Sequence, residues 1–206
     1  MLTPHYAWTD RADGDRGGDR SATEPPWTWL HQVHGAHVVV VREPGEHAGA
    51  DADAAVTATP GCYLAVRTAD CAPVVLFGDG AVGLAHAGWR GLLAGVVERT
   101  IEAMRALGAA PTHAVIGPCI RPGCYEFDGP ELQDLAARFG PEVRGTTTWG
   151  TPALDLPGAA RAALGAAGVG AIADPSGCTA CDLRWYSHRA RGEPERFATL
   201  AWLEEQ

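Results

Sequence analysis

No apolar run in this chain approaches the ~20 residues that a membrane-spanning helix needs. The first twenty residues, Met1 to Arg20, lack the apolar core of a secretory signal and are rich in Asp, Arg and Gly. These two absences predict a cytoplasmic protein with no membrane partner. Positive charge is also scarce. Sixteen basic residues stand against 25 acidic ones, a formal net charge of -9. The basic residues are scattered, which argues against nucleic acid as a partner, because phosphate-backbone affinity rests on clustered Lys and Arg. A few arginines can still hold one small anion. There is no internal repeat and no low-complexity tract. Hydrophobic residues make up 46% of the chain, which excludes global disorder and allows a sizeable core.

The 206 residues suit a single domain, read as 1–206, with 1–26 as a flexible N-terminal segment in which 10–26 is a weakly ordered entry loop. The six cysteines, if reduced in the cytoplasm, are metal ligands, reactive thiols or core residues rather than disulfides.

Apolar patterning places the elements. Val38 to Val41 and Cys62 to Thr68 read as strands. Pro73–Phe77 and Ala81–His86 flank Gly78-Asp79-Gly80, a hairpin signal. From Gly91, apolar residues recur at helical spacing through Leu107, with Gly108 as the stop. Ala114–Ile116 reads as a strand, Pro130–Phe139 and Pro157–Ala167 as helices, and Arg184–His188 and Phe197–Leu203 as strand-like. The mixture of hairpins and helices predicts an α/β or α+β layered sandwich.

Two segments carry the chemistry. In Thr68-Ala69-Asp70-Cys71 a cysteine with an acidic neighbour ends one apolar run; in His86-Ala87-Gly88-Trp89-Arg90-Gly91 a histidine ends the next. Thiolate and imidazole are good zinc ligands and also the two halves of a Cys-His nucleophilic pair. With His34, Cys71 and His86 make three protein ligands and leave one tetrahedral position open, the pattern of a catalytic zinc. Asp70 could orient a ligand or take a proton. Taken singly, a buried Cys or His is more often structural. Arg90 and Gly91 fall at a helix start, where free N–H groups favour phosphate; Arg90 facing solvent and Trp89 wedging the core explain the same residues equally well. His31, His34 and His37 are spaced by three, and the Val run after them favours a strand, which leaves His34 as the ligand. Cys178-Thr179-Ala180-Cys181 has no second pair at zinc-ribbon spacing, although Cys119 and Cys124 lie upstream. It reads as structural, with a second metal site as the lesser option. Arg189 and Arg191 either meet an anionic substrate or belong to a solvated segment.

With these motifs in hand, the chain resembles the YfiH-type family, also called the laccase-domain or multicopper polyphenol oxidoreductase family and regarded as purine nucleoside phosphorylases. The resemblance covers most of residues 29–202. It runs through Gln32-Val33-His34-Gly35, Asp51-Ala52-Asp53-Ala54, the two segments above, Ile116-Gly117-Pro118-Cys119-Ile120, Cys178-Thr179 and Ser187-His188-Arg189. It implies a layered α/β/β/α sandwich of the cytotoxic-necrotizing-factor-like type, with mixed sheets and flanking helices. It also implies one zinc per chain on His34, Cys71 and His86. The implied activity is phosphorolysis of adenosine, inosine or methylthioadenosine with phosphate as co-substrate, accompanied by adenosine deamination, in a monomer or small homo-oligomer. Catalytic roles would fall on Asp70, Cys71 and His86, and anion binding on Arg90, Gly91 and Arg189. Copper oxidation fits poorly, since such enzymes need many His ligands, often in His-x-His pairs, and the chain has eight His and no such pair. Two departures stand out. Residues 1–26 are short for the family, and the usual Ser-Tyr-Arg-Arg is Ser187-His188-Arg189-Ala190 here. The rival readings are a cysteine hydrolase or deamidase using Cys71, His86 and Asp70, and a non-catalytic partner protein.

Overall fold

The computed structural model describes residues 2–17 and 26–205. Part of the expected entry loop, 18–25, lies outside the described residues.

Two mixed sheets face each other. The larger has six strands in the order β11 (Ala171–Ala173), β8 (Pro111–Ile116), β6 (Ala72–Gly78), β7 (Ala81–Ala87), β4 (Ala54–Thr57) and β3 (Val38–Val40). The smaller has four, in the order β1 (Leu2–Trp8), β12 (Phe197–Glu205), β5 (Tyr63–Thr68) and β2 (Trp27–Trp29). A two-stranded ribbon, β9 (Arg144–Thr146) and β10 (Pro152–Leu154), stands apart. The expected α/β class, with face-to-face mixed sheets and flanking helices, is the one observed.

The period-2 alternation of strand side chains sorts the core into two layers. Val75, Val82 and Leu84 meet Leu64, Val66, Ala201 and Leu203 between the sheets. Val74, Leu76, Ala81 and Ala85 point the other way, into a helical layer. That layer comprises α1 (Trp89–Ala94), α2 (Val96–Ala106), α3 (Pro130–Phe139) and α4 (Leu156–Ala166). On β7 the helix-facing residues are small. A Cβ on Gly83 would stand 2.8 Å from Met104 Sδ and 3.1 Å from Thr100 Cγ2, so a glycine there lets α2 lie close to the sheet. The same alternation sends His86 to the opposite face, with Val82 and Leu84. Across the smaller sheet His5, Trp202 and Tyr63 stack on three neighbouring strands, at centroid distances of 5.5 and 5.2 Å. No described helix is long and apolar enough to cross a membrane.

Three sequence readings change. The helical pattern from Gly91 to Leu107 is two helices, because Gly95 adopts φ 89, ends α1 and opens α2. Arg184–His188 is not a strand. Asp182 accepts from the Arg184 backbone N–H at 3.0 Å, and Ser187 caps the short helix α5 (His188–Arg191), so local polar bonds outcompete sheet pairing. The residues before the entry loop, Leu2 to Trp8, form an edge strand paired antiparallel to β12.

Candidate metal centre and cleft

The site is assembled by sheet register. Antiparallel pairing sets Ala54 against Ala85, and His86 N–H donates to Asp53 O at 2.7 Å. The side chains of this pair also meet: His86 Nδ1 lies 2.9 Å from Asp53 Oδ1. The β6–β7 ladder pairs Ala72 with Ala87, which brings Cys71 beside Gly88 just beyond the ladder. His34 is neither on a strand nor at a strand end, as the sequence reading had placed it. It sits in the β2–β3 loop with φ 59, and the loop is wrapped around Asp53. The buried Asp53 carboxylate accepts backbone N–H bonds from Val33 (3.2 Å), His34 (2.9 Å) and Gly35 (2.6 Å).

The result is a convergence of His34, Cys71 and His86, whose ligating atoms all lie within 4.8 Å of one another. Cys71 Sγ is 3.8 Å from His34 Nε2, and the two imidazoles are 4.8 Å apart, edge to face. Gly88 makes room for this. A Cβ there would stand 3.0 Å from both Cys71 Sγ and His34 Cδ2. His31 and His37 are elsewhere, bonded to the Asp51 carboxylate and the Asp51 carbonyl.

Electrostatics couple the cluster. Burial alone would raise the Cys71 thiol, but the charge of His86 and hydrogen bonds from His34 and His86 bring it down to about 6. Burial alone would lower His86, and the Cys71 thiolate and Asp53 carboxylate push it up to about 9. Asp53 also resists its burial, held below the usual carboxylate range by His86 and by the Gly35 and His34 amides. The donor set suits zinc. Two imidazoles and a thiolate within ligating reach leave one position open, and a buried carboxylate on the far nitrogen of a ligating His is the arrangement that fixes its tautomer.

The sequence reading gave the orienting role to Asp70. The structure gives that bond to Asp53 and commits Asp70 elsewhere. Asp70, at φ 95, accepts from Thr179 Oγ1 and Ser187 Oγ on one oxygen and from Arg189 N–H on the other, each at 2.7 Å. It therefore positions the segment that carries Arg189. Asp53 was legible only as an acid at the head of the apolar run Ala54–Val56.

The cluster opens into a cleft of about 610 Å³. Arg67, Arg90, Arg189 and Arg196 line it, with Trp89 and Tyr125. Arg189 lies over the Tyr125 ring at 5.1 Å and Arg90 over Trp89 at 4.4 Å. Burial and the charge of Cys71 push the Tyr125 phenol up to about 12, so it stays a neutral donor. Gly91 is buried instead, facing Gly35 O and His86 O at 3.2 and 3.3 Å from where a Cβ would sit. Its smallness lets the start of α1 pack against the His34 loop.

Comparisons with known proteins agree with this architecture. The YlmD protein of Geobacillus stearothermophilus superposes with a TM-score of 0.78 at 33% identity, over 88% of this chain and 74% of that one. The YfiH protein of Bacillus licheniformis gives a TM-score of 0.78 at 28% identity, over 86% and 74%. A Streptomyces griseus protein named purine nucleoside phosphorylase ORF3 is 44% identical over 188 residues, 85% of this chain and 74% of its own length. A purine nucleoside phosphorylase of Mycobacterium tuberculosis is 40% identical over 181 residues, 85% and 72%. Residues 18–204 match the model of a family described as multi-copper polyphenol oxidoreductase laccase, and the chain belongs to that family, whose relatives include the YfiH-type proteins and curated purine nucleoside phosphorylases.

Proposed function

We propose that the chain is a zinc-dependent purine nucleoside phosphorylase with adenosine deaminase activity, working in the cytoplasm as one catalytic domain, monomeric or in a small homo-oligomer. The observation that carries this reading is the convergence of His34, Cys71 and His86 at the floor of an arginine-lined cleft, with His86 held by Asp53. The names of the curated relatives support the substrate class.

His34, Cys71 and His86 would hold the ion. When bound, zinc supplies Lewis acidity toward a departing base or an attacking water. The chain's own groups do the rest. Asp53 keeps the His86 Nδ1 proton in place, so that Nε2 faces Cys71 and the cleft. Arg189 and Arg90 take the phosphate dianion, whose oxygen bonds to the ribose carbon as the glycosidic bond breaks and its electron pair leaves with the base. Their guanidiniums offer paired donors and fixed charge where the anion must sit. The Trp89 and Tyr125 rings wall the same cleft and suit a planar purine. The volume is within the range of small-molecule sites, roughly 300–1,000 Å³.

Copper oxidation is not favoured. Among the described residues the two groups that could hold a metal are His34, Cys71, His86 and Cys124, Cys178, Cys181, with only two histidines between them.

One observation favours a second reading. Without a metal, Cys71 at about 6 and His86 at about 9 form a thiolate–imidazolium pair, the starting state of a cysteine hydrolase or deamidase. Purified protein with its zinc content measured, incubated with adenosine and phosphate with and without chelator, separates the two. Chelator-sensitive release of adenine and ribose 1-phosphate, or of inosine, supports the first. No zinc and no product, with stoichiometric alkylation of Cys71 and turnover of an amide or ester, supports the second.

A further inference from the structure

A second convergence of ligands lies outside the His34 cluster. The Cys178-x-x-Cys181 segment turns tightly, with the N–H groups of Cys181 and Asp182 both donating to Cys178 O at 3.2 and 2.9 Å. Cys124 reaches the same place from the turn Pro122–Cys124, 57 residues away from Cys181 in sequence. Its Sγ is 3.1 Å from that of Cys181, and the three sulfurs all lie within 4.8 Å of one another. The backbones beneath are joined, since Thr179 N–H donates to Cys119 O at 3.2 Å. The Arg121 backbone N–H points at Cys178 Sγ at 3.4 Å, a bond that strengthens when the sulfur is a thiolate.

A thiophilic cation between sulfurs this close would be bound by their thiolate forms, with release of their protons. A tetrahedral zinc with Zn–S near 2.3 Å sets its sulfurs ~3.8 Å apart, wider than the 3.1 Å between Cys124 and Cys181 and inside the 4.8 Å that bounds all three pairs. An all-sulfur set selects a thiophilic ion over magnesium or calcium. Cys181 is exposed, which gives an entry path and room for solvent as a fourth ligand.

We propose that Cys124, Cys178 and Cys181 bind a second zinc ion that clips the 122–125 turn to the 178–181 turn. The clip braces one wall of the cleft. Cys124 precedes Tyr125, which lies under Arg189, and Cys178 precedes Thr179, whose hydroxyl donates to the Asp70 carboxylate that holds the Arg189 amide. The ion's part is to join the two turns, and its presence does not depend on what reaction the cleft performs.

Cobalt(II) is the probe, because each thiolate ligand adds near-ultraviolet charge-transfer intensity. The reduced, metal-stripped Cys71→Ser chain, with the first cluster disabled, is titrated with cobalt(II). The expected result is one ion per chain with three-thiolate intensity, displaced by zinc, and loss of that band when Cys181→Ser is added. If Cys71→Ser does not fold, the unmodified chain should take up two ions and Cys181→Ser alone only one. Absence of a thiolate band in Cys71→Ser, or a band unchanged by Cys181→Ser, overturns the site. So does a reduced chain that takes up no second ion but, when reoxidised with a small-molecule disulfide, loses two hydrogens to a Cys124–Cys181 bridge.

Discussion

His86 Nδ1 lies 2.9 Å from Asp53 Oδ1, and the same carboxylate gathers the amides of Val33, His34 and Gly35. One buried anion therefore sets both imidazoles of the candidate centre, one through its ring and the other through its backbone. Asp53→Asn keeps the shape but brings an amide NH2 among four donors and leaves at least one of them unpaired. Zinc affinity at the cluster should fall ~10–100-fold, the usual cost of losing a partner behind a ligating histidine. Competition with a chromophoric chelator in the Cys181→Ser background measures it, and unchanged affinity would remove Asp53 from the centre.

Cys71 supplies the only sulfur of this cluster. Cys71→Ala should abolish both zinc binding there and nucleoside turnover. The zinc count belongs in the same Cys181→Ser background, so that the other thiol group does not contribute. A variant that keeps its zinc and its rate rules out the ligand role.

Gly88 tests the packing around the ligands. A methyl group at 3.0 Å from both Cys71 Sγ and His34 Cδ2 forces them apart. Gly88→Ala should cost about 1–3 kcal/mol of stability from overpacking. It should also weaken zinc binding out of proportion to that loss. Gly80→Ala, where the added Cβ meets nothing within 4 Å but φ is 73, is the control for strain alone. Equal zinc affinity in both variants would deny that Gly88 shapes the centre.

The sequence made part of this legible and hid the rest for physical reasons. Local signals worked where local physics decides. The Gly78-Asp79-Gly80 turn marked the β6–β7 hairpin, and Pro130 and Gly140 bounded α3 to the residue. Gly95 went unread because the apolar spacing continues across it, although a left-handed glycine there splits the helix. Asp70 stood beside Cys71 in the sequence and so drew the orienting role, while Asp53, in the separate Asp51-Ala52-Asp53-Ala54 motif, drew none. Only the β4–β7 register decides that Asp53 faces His86, and only the return of the chain at Thr179 and Ser187 decides that Asp70 does not. Cys124 and Cys181 meet across 57 residues, a long-range contact with no periodic signature.

Glu193 gives the Arg189 segment a pH dependence. Burial would raise its carboxyl, but the Ser187 amide and the guanidiniums of Arg11 and Arg191 hold it below the usual glutamate range. A carboxyl depressed by folding stabilises the fold above its unfolded pKa, and that contribution is lost as pH falls through the folded value. Residues 187–193 should therefore lose amide-exchange protection in acid, below the ordinary glutamate range, before the sheets do. Glu193→Gln should be less protected at neutral pH and insensitive to that acid step. Hydrogen exchange read by mass spectrometry, corrected for the intrinsic rate at each pH, decides it; a wild-type segment that stays protected until global unfolding contradicts the assignment.

Arg189 separates anion binding from general stability. Its backbone is fixed by Asp70 and its guanidinium lies over Tyr125 in the cleft, so shortening the side chain removes the charge without releasing the loop. Arg189→Ala should raise the phosphate KM at least ~10-fold, the scale of one lost charge-assisted hydrogen bond. The KM for nucleoside should move far less, and the melting temperature should barely change. Arg189→Lys keeps the charge but not the planar pair of donors, and should recover part of the loss. If both variants depress kcat and leave phosphate KM alone, Arg189 acts on the departing base or on the loop, and the anion site must be sought at Arg90, the other arginine assigned to it.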